Sequence, residues 1–264
     1  QKLFRDCEKG VFNADDNWGA YMSETEKGEV IFYGIDSAKA QICAKNTKVD
    51  ANGVQYTLVA PKGEIEISIA IPGRFTIYNS LCAAACCYEM DISLENIAKG
   101  LANMEGVPGR IQLISQPGME YSVILDYAHT PDGIQNILSS VRDFSDGKII
   151  TVFGCGGDRD PDKRPKMGLA AGEGSDYCVV TSDNPRTEDP LAIIEQILPG
   201  VLESGCDFEV VENRREAIAK AMQMAKKGDI VVLAGKGHEP YQEINGVRHP
   251  FDEKKIVEEI YSGK

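Results

Sequence analysis

The chain has 264 residues, of which 42% are hydrophobic and 26% charged, as in globular proteins large enough to bury a core without disulfides or metals. Acidic residues number 41 and basic residues 28, so the net charge is −13, which argues against nucleic acid or an anionic membrane surface as a partner. No apolar run approaches the roughly 18 residues of a membrane-spanning helix, and the eight cysteines include no C-x-x-C pair, so we expect reduced thiols in a cytoplasmic protein.

The first hundred residues predict a mixed sheet followed by helices. Two apolar runs typical of parallel strands precede three runs that look like an antiparallel meander, because two of the three alternate polar and apolar residues. These five strands are predicted over 10–15, 30–34, 40–44, 53–60 and 64–69. Helices are predicted over 76–90 and 93–101. The glycines and proline of 105–110 then mark the most plausible domain boundary.

From residue 121 onward, predicted strands alternate with helices. The strands are nearly continuous in valine and isoleucine, as strands buried on both faces are, and this alternation is typical of a parallel α/β sheet. The strands are predicted over 121–128, 148–154, 177–182, 208–212 and 229–235. The helices are predicted over 131–144, 190–202, 214–227 and 251–261, the third of them closed by Gly228.

Polar and glycine residues concentrate directly after four of these strands, where an open parallel sheet binds its ligands. The loops are 126–131, 154–160, 182–186 and 235–239. Taken singly, each loop is also explained by the glycines of a tight turn or by turn-forming polar residues. Four such loops on one sheet edge favour a binding site. The Rossmann fingerprint G-x-G-x-x-G is not completed, because Arg159 stands at its third glycine position.

The side chains on these loops indicate the class of ligand. Arg159 and Arg186 carry forked donors that suit a carboxylate or a phosphate. Glu239 can accept hydrogen bonds from an ammonium group. Asp126 can accept from sugar hydroxyls, and His129 is close enough in sequence to share its site. The combination predicts a small zwitterionic ligand such as an amino acid, with room for a nucleotide nearby.

At these residues the sequence resembles the Mur ligases of bacterial cell-wall synthesis, and the resemblance covers nearly the whole chain. The segments that carry it are Gly73-Arg74-Phe75 with Asn79, Val107-Pro108-Gly109-Arg110 and Asp126-Tyr127-Ala128-His129-Thr130-Pro131. Three further segments, 154–165, 182–186 and 235–239, resemble the branch of the family that adds meso-diaminopimelate. The resemblance implies an α/β fold in which 1–108 is part of a central ATPase domain. Residues 109–264 would form a C-terminal, amino-acid-binding domain with a Rossmann-like parallel sheet.

The resemblance also implies the chemistry. Mur ligases form an amide bond at the expense of ATP, with Mg²⁺, through an acyl phosphate. The implied substrates here are UDP-N-acetylmuramoyl-L-alanyl-D-glutamate and meso-diaminopimelate. Diaminopimelate carries a distal carboxylate that lysine lacks, and the guanidinium of Arg186 would pair with it.

Residue roles are implied in the same way. The residues expected at the amino acid are Arg159, Asp183, Asn184, Pro185, Arg186, Gly235 and Glu239. Those expected at ATP are Asn79, Arg110 and Asp126, with His129 beside the reacting phosphates. His238 is a candidate by position for deprotonating the attacking amine. No residue of the chain is expected to bind a metal directly.

One departure from the family is large: the sequence contains no G-x-x-x-x-G-K-[ST] phosphate loop. Its first residues, Gln1-Lys2-Leu3-Phe4, resemble the point just after a family lysine that helps to hold magnesium. We therefore expect the later portion of a ligase that is inactive by itself. Two alternatives stay open. One is a non-catalytic amino-acid-binding module, and the other is a different Mur ligase or a folylpolyglutamate synthetase.

Overall fold

The computed structural model describes residues 7–24, 28–145 and 147–263. The chain divides into two compact units, one up to Glu105 and one from Gly106. The sequence start that resembles the end of a family motif, Gln1–Phe4, lies outside the described residues. Within the described ranges, no helix is both long enough and apolar enough to cross a membrane.

The first unit contains a five-stranded mixed sheet and three helices. Its elements are β1 (Lys9–Asn13), α1 (Asn17–Ser23), β2 (Glu29–Ile35), β3 (Ile42–Asp50), β4 (Gly53–Ala60), β5 (Gly63–Ile69), α2 (Arg74–Glu89) and α3 (Leu94–Ala102). The strands are ordered β1-β2-β3-β4-β5. The first three are parallel and the last three form an antiparallel meander, so the predicted sheet is confirmed. Strand β3 is longer than predicted because a register shift between Lys45 and Lys48 interrupts its alternation.

The core of this unit lies between the meander and the two longer helices. Ile77 and Leu81 of α2 and Ile97 of α3 pack on the buried faces of β3, β4 and β5. The hydroxyl of Tyr56 reaches Ser80 at 2.8 Å inside this core. Burial raises the pKa of Tyr56 to about 12, because the phenolate would lose its hydration.

The second unit is a doubly wound α/β layer structure with a small hairpin. Its sheet strands are β6 (Gln112–Leu113), β7 (Ser122–Asp126), β8 (Ile149–Phe153), β9 (Tyr177–Val180), β10 (Phe208–Val210) and β11 (Ile230–Ala234). Its helices are α4 (Pro131–Arg142), α5 (Lys163–Gly174), α6 (Pro190–Ser204), α7 (Arg214–Met224) and α8 (Glu253–Tyr261). A separate hairpin is formed by β12 (Tyr241–Ile244) and β13 (Val247–Pro250).

The six sheet strands are ordered β10-β9-β8-β11-β7-β6. All neighbouring pairs are parallel except β6 with β7, which is antiparallel at the sheet edge. The predicted parallel sheet is therefore confirmed for β7, β8, β9, β10 and β11. Strand β11 lies between β7 and β8, so the loops that leave these three strands meet at one edge of the sheet, beside the loop that leaves β9.

Polar loop residues also begin the helices that follow. Thr130 caps α4 by accepting from the backbone N–H of Gly133, and Asp189 caps α6 by accepting from Leu191 and Ala192. These side chains satisfy backbone donors that a helix start leaves unpaired. The loops that follow β7 and β9 are thereby fixed to α4 and α6, the helices that continue from them.

Several elements differ from the sequence predictions, and helix α1 and the short edge strand β6 are among those that were not predicted. Helix α5 was not predicted, because KRPKMGLAAGEG has no clear apolar period. The β12–β13 hairpin was not predicted either. Helix α7 ends at Met224 rather than Lys227, because Ala225 is already extended. Gly228 therefore does not close the helix and instead forms the turn into β11, with φ +86°.

Candidate functional site

A cavity of about 470 Å³ opens at the carboxyl ends of the parallel strands in the second unit. All four polar loops predicted from the sequence contribute to it. The residues that line it are Tyr127, His129, Gly154, Cys155, Gly156, Arg159, Lys163, Asp183, Asn184, Arg186, Gly235, Glu239, Tyr241, Glu243 and Arg248. Four of them are cationic and three anionic. A wall with both signs of charge suits a zwitterion better than a simple anion.

Seven residues predicted from the sequence line this cavity together: His129, Arg159, Asp183, Asn184, Arg186, Gly235 and Glu239. Pro185 belongs to the same loop but lines a neighbouring cavity beside α6 and α7. Arg110, Asp126 and His238 are not among the described residues that line the main cavity. Asn79 lies exposed on α2 of the first unit.

Arg186 is held at the wall of the cavity by backbone and side-chain contacts. Its guanidinium donates to the carbonyl of Gly157 at 2.6 Å, and its Nε lies 4.0 Å from Oε2 of Glu243. Its backbone has φ +52° and pairs with the hairpin through Glu243 and Asn245. Four of the five guanidinium N–H groups remain beyond the one that Gly157 receives. The side chain is thus a fixed cation with donors to spare for a carboxylate.

Arg159 stands at the exposed side of the same cavity. Its guanidinium donates to the carbonyl of Asp158 at 3.0 Å. The loop under it is fastened to the neighbouring strand end, because Thr187 donates its hydroxyl to Asp158 at 2.7 Å. Glu188 also accepts from the backbone N–H of Asp158. A second guanidinium is therefore carried by a well-fixed loop.

Asn184 and Glu239 form the acceptor side of the cavity. The amide Nδ2 of Asn184 donates to Oε2 of Glu239 at 2.9 Å. The hydroxyl of Tyr127 lies 3.4 Å from the other carboxylate oxygen. Both partners are uncharged donors. They orient the carboxylate without cancelling its negative charge, so it can receive an ammonium group.

A buried ion pair lies behind this acceptor. The ammonium of Lys236 is fully buried and lies 3.3 Å from Oδ1 of Asp183. Burial lowers the pKa of Lys236, and the negative charge of Asp183 opposes that shift. Gly235 makes the close approach possible: it has φ +115°, and a Cβ there would stand 2.7 Å from Oδ2 of Asp183.

Tyr127 connects the cavity to the residues predicted at the nucleotide. His129 packs against its ring at 4.7 Å and His238 at 5.5 Å, while the guanidinium of Arg110 lies 5.4 Å from the ring centre. The Nδ1 of His129 lies 2.8 Å from the carbonyl of Tyr127. Because a carbonyl only accepts, this hydrogen bond is donated by Nδ1, and Nε2 is left without a partner in this contact.

The carboxylate of Asp126 binds backbone N–H groups at the end of β7. Its two carboxylate oxygens accept from the backbone N–H groups of Ile111 and Ala128, each at 2.8 Å. Burial raises the pKa of Asp126, and these two hydrogen bonds oppose the shift. The carboxylate thus fixes the segments on either side of the strand end. Its predicted contact with a nucleotide stays a prediction.

The sequence analysis missed the hairpin side of the cavity and the lysine behind it. Tyr241, Glu243 and Arg248 of β12–β13 line the wall, with the guanidinium of Arg248 4.4 Å from the Tyr241 ring centre. The hairpin had a sequence signal: Asn245-Gly246 is a preferred two-residue turn, and both residues have positive φ. Lys236 offered no signal beyond its place in a glycine-rich loop.

Comparison with known proteins finds matches over most of the chain. A family model described as the Mur ligase middle domain matches residues 1–87, and one described as the Mur ligase, glutamate ligase domain matches residues 109–237. A protein of Clostridioides difficile (strain 630) named UDP-N-acetylmuramoyl-L-alanyl-D-glutamate--2,6-diaminopimelate ligase is 45% identical in an alignment 264 positions long, which covers 98% of this chain and 54% of that protein. A protein with the same name from Caldanaerobacter subterraneus subsp. tengcongensis is 44% identical over 260 residues.

Solved structures agree with the sequence relatives. A structure of a protein bearing the same ligase name superposes with a TM-score of 0.78 at 34% identity, over 99% of this chain and 55% of that one. MurF from Acinetobacter baumannii superposes with a TM-score of 0.61 at 17% identity, over 86% of this chain and 48% of that one, a similarity of fold. The chain spans about half the length of the curated relatives it matches.

Proposed function

The chain belongs to the Mur ligase family, and we propose from that premise that it is the amino-acid-binding part of a ligase for meso-diaminopimelate. The acceptor of the amino acid would be UDP-N-acetylmuramoyl-L-alanyl-D-glutamate, as the names of the relatives indicate. The proposal concerns the complete protein, since the chain corresponds to about half the length of those relatives.

One observation carries the proposal: the guanidinium of Arg186 and the Asn184–Glu239 acceptor line one cavity. Diaminopimelate has an amino-carboxylate at each end, and each end needs a cation for its carboxylate and an acceptor for its ammonium. A bidentate guanidinium binds a carboxylate more strongly than a neutral donor does. L-Lysine would instead bring its side-chain ammonium towards Arg186, where like charges repel.

Each remaining residue then has a defined task. Arg159 binds the carboxylate at the other end of the diamino acid, at the exposed side of the cavity. Gly235 and Asp183 shape the floor, and Pro185 holds the loop that carries Asn184 and Arg186. These assignments extend the family resemblance to the residues that surround the cavity.

The proposed reaction forms one amide bond. The γ-carboxylate of the glutamyl substrate attacks the γ-phosphorus of ATP, the bond to ADP breaks, and an acyl phosphate and ADP result. The amine of diaminopimelate then forms the C–N bond while the acyl C–O bond to phosphate breaks, and phosphate leaves. The amine must lose its protons, and His238 is the candidate acceptor, since its exposed ring packs on Tyr127 close to the cavity.

Mg²⁺ offsets the charge that builds up during phosphoryl transfer. The described residues include no group of three or more histidine, cysteine or carboxylate side chains suited to hold a metal ion, and the sequence has no phosphate loop. We assign the described side chains no step through the metal. For ATP, Asn79, Arg110, Asp126 and His129 stay predictions.

The experiment that tests the proposal is a ligation assay with the complete protein. Phosphate release and peptide product are measured with ATP, Mg²⁺, UDP-N-acetylmuramoyl-L-alanyl-D-glutamate and either meso-diaminopimelate or L-lysine. Product with meso-diaminopimelate and at least tenfold less with L-lysine supports the proposal. Product with L-lysine or L-glutamate alone would instead favour another Mur ligase or a folylpolyglutamate synthetase.

The second candidate function, a non-catalytic amino-acid-binding module, predicts binding of meso-diaminopimelate without any ATP-dependent product from the complete protein. A cytoplasmic location and the inactivity of this chain by itself stay predictions.

A further inference from the structure

Lys236 has a fully buried ammonium group in the second unit. Its Nζ donates to Oδ1 of Asn184 at 2.9 Å and to the carbonyl of Tyr241 at 2.8 Å. Burying an ammonium costs free energy unless its donors find acceptors. The position of this lysine is therefore tied to a specific set of acceptors directly behind the cavity, and none of the roles proposed above uses it.

The contacts of Lys236 determine which way the Asn184 amide faces. Oδ1 of Asn184 accepts from Lys236 and also from the backbone N–H of Glu243 at 3.0 Å. Both neighbours are donors only, so the atom between them must be the oxygen. The amide nitrogen is left on the opposite side, where it donates to Glu239.

The reverse orientation would be unfavourable for substrate binding. If the amide rotated by half a turn, its oxygen would face the carboxylate of Glu239 and its nitrogen would face the ammonium of Lys236. An acceptor would then face an acceptor at Glu239, and a donor would face a donor at Lys236. Glu239 would lose a donor that fixes its rotamer, and its carboxylate would no longer be held towards the cavity.

We propose that Lys236 is a positioning residue for the amino-acid substrate, acting through the amide of Asn184 to hold the carboxylate of Glu239 where it receives the ammonium group. The relay runs from Lys236 Nζ to Asn184 Oδ1 and from Asn184 Nδ2 to Glu239 Oε2, over two contacts of 2.9 Å. It rests on the proposed function, because Glu239 matters here only as a contact to the substrate.

The lysine also neutralises Asp183, whose carboxylate lies 3.3 Å from the ammonium. Arg214 also offsets the charge of Asp183, so the contact with Asn184 is the main route by which Lys236 acts on the ligand. Both effects act on ligand binding rather than on the nucleotide. The inference therefore predicts a change in affinity for the amino acid.

The first test is calorimetric titration of the chain with meso-diaminopimelate, comparing the parent with Lys236→Met. The Kd is expected to rise by roughly tenfold or more, as for the loss of a hydrogen bond that involves a charged group. Tyr56→Phe is the matched control, because it removes a buried hydrogen bond in the first unit, between the hydroxyls of Tyr56 and Ser80 at 2.8 Å. It should lower the melting temperature while leaving the Kd within twofold.

A double-mutant cycle separates positioning from a general loss of stability. In the Asn184→Ala background the relay is already broken, so adding Lys236→Met should raise the Kd less than threefold further. Equal fold-changes in the two backgrounds would show that Lys236 does not act through Asn184. An unchanged Kd for the single variant would overturn the inference as well.

Lys236→Gln keeps the test decisive should the methionine variant fail to fold. Its side-chain amide keeps a donor for Asn184 and removes the charge, so its Kd should lie between those of the parent and the Asn184→Ala variant. A folded glutamine variant as weak as Asn184→Ala would contradict the relay.

If the parent chain itself does not bind meso-diaminopimelate, the proposed function fails together with the inference. If the parent binds and the variants have no effect on the Kd, the inference alone fails.

Discussion

The side-chain amide of Asn184 donates to the carboxylate of Glu239 at 2.9 Å between Nδ2 and Oε2. The two residues follow different strands of the same parallel sheet, β9 and β11. Arg186 lies two residues beyond Asn184 and lines the same cavity. An acceptor for ammonium and a guanidinium for carboxylate are thereby fixed on one wall, which is the arrangement that an amino-carboxylate requires.

Arg186→Gln tests the carboxylate side of this arrangement. The variant removes the cation and keeps a polar side chain at a backbone position with φ +52°. A hydrogen bond to a charged group contributes about 1.5–3 kcal/mol, so the Kd for meso-diaminopimelate should rise about ten- to hundredfold by calorimetry. The preference over L-lysine should fall by at least tenfold.

Arg142→Gln is the control for that variant. Arg142 forms an ion pair with Asp176 at 2.7 Å on the surface, with about half of its side chain exposed, and such pairs contribute little to stability. Its Kd should match the parent. If Arg186→Gln bound meso-diaminopimelate as the control does, the specificity assigned to Arg186 would be wrong.

Glu239→Gln tests the ammonium side. Glutamine preserves the acceptor for Asn184 and removes the negative charge, so the loss is confined to the attraction of the ligand's ammonium. The Kd for meso-diaminopimelate should rise at least tenfold, as measured by titration. Glu209→Gln, which removes an exposed partner of Lys220, should have no effect, and equal affinities of the two variants would refute the role of Glu239.

Gly235→Ala tests the close approach of β11 to Asp183. The substitution places a Cβ 2.7 Å from Oδ2 of Asp183 at a position with φ +115°. We expect a loss of about 1–3 kcal/mol in the free energy of unfolding, measured by urea denaturation, together with weaker binding of meso-diaminopimelate because Asp183 is displaced.

Gly205→Ala provides the comparison, since it also has positive φ, +74°, but has no atom within 4 Å of the added Cβ. It should lose about 1 kcal/mol from backbone strain alone and keep the parent's affinity. Equal losses in both variants would mean that contact with Asp183 is unimportant.

Cys155 gives a prediction about reactivity and pH. The thiol lines the cavity but is buried, and burial raises its pKa to about 12, with the charge of Asp183 adding to the shift. The reactive thiolate is therefore scarce at pH 8 and increases only as the pH rises towards 12. Mass spectrometry after iodoacetamide treatment at pH 8 should find Cys155 unmodified and the exposed Cys86 labelled. Equal labelling of both cysteines would contradict this account.

Much of the site could be predicted because it follows a topological rule. Once the strands ending near Asp126, Phe153, Val180 and Ala234 are recognised as parallel, their polar loops must meet at one edge. The sequence also indicates chemistry there, since guanidinium and carboxylate groups such as those of Arg186 and Glu239 have few structural uses in a turn. Of the seven lining residues, His129, Arg159, Arg186 and Glu239 follow from this rule and from side-chain chemistry, whereas Asp183, Asn184 and Gly235 were predicted from the family resemblance.

The rest depends on tertiary contacts that the sequence does not display. In the sequence, Lys236 is one charged residue of a glycine-rich loop. Only the fold shows that its ammonium group is buried against Asn184. Asp126 is similar, because its carboxylate is engaged by the backbone of Ile111 from a separate segment. Helix α5 was missed because its glycines oppose helix formation in isolation, whereas in the fold Gly168 allows it to lie closely against α6.

The central claim is that the cavity selects a diamino diacid by its distal carboxylate. The most direct measurement is the ratio of the Kd values of this chain for L-lysine and meso-diaminopimelate, titrated under identical conditions. A ratio of at least ten that collapses in Arg186→Gln is the predicted result. Equal affinities for the two amino acids in the parent chain, or a ratio that Arg186→Gln leaves unchanged, would contradict it.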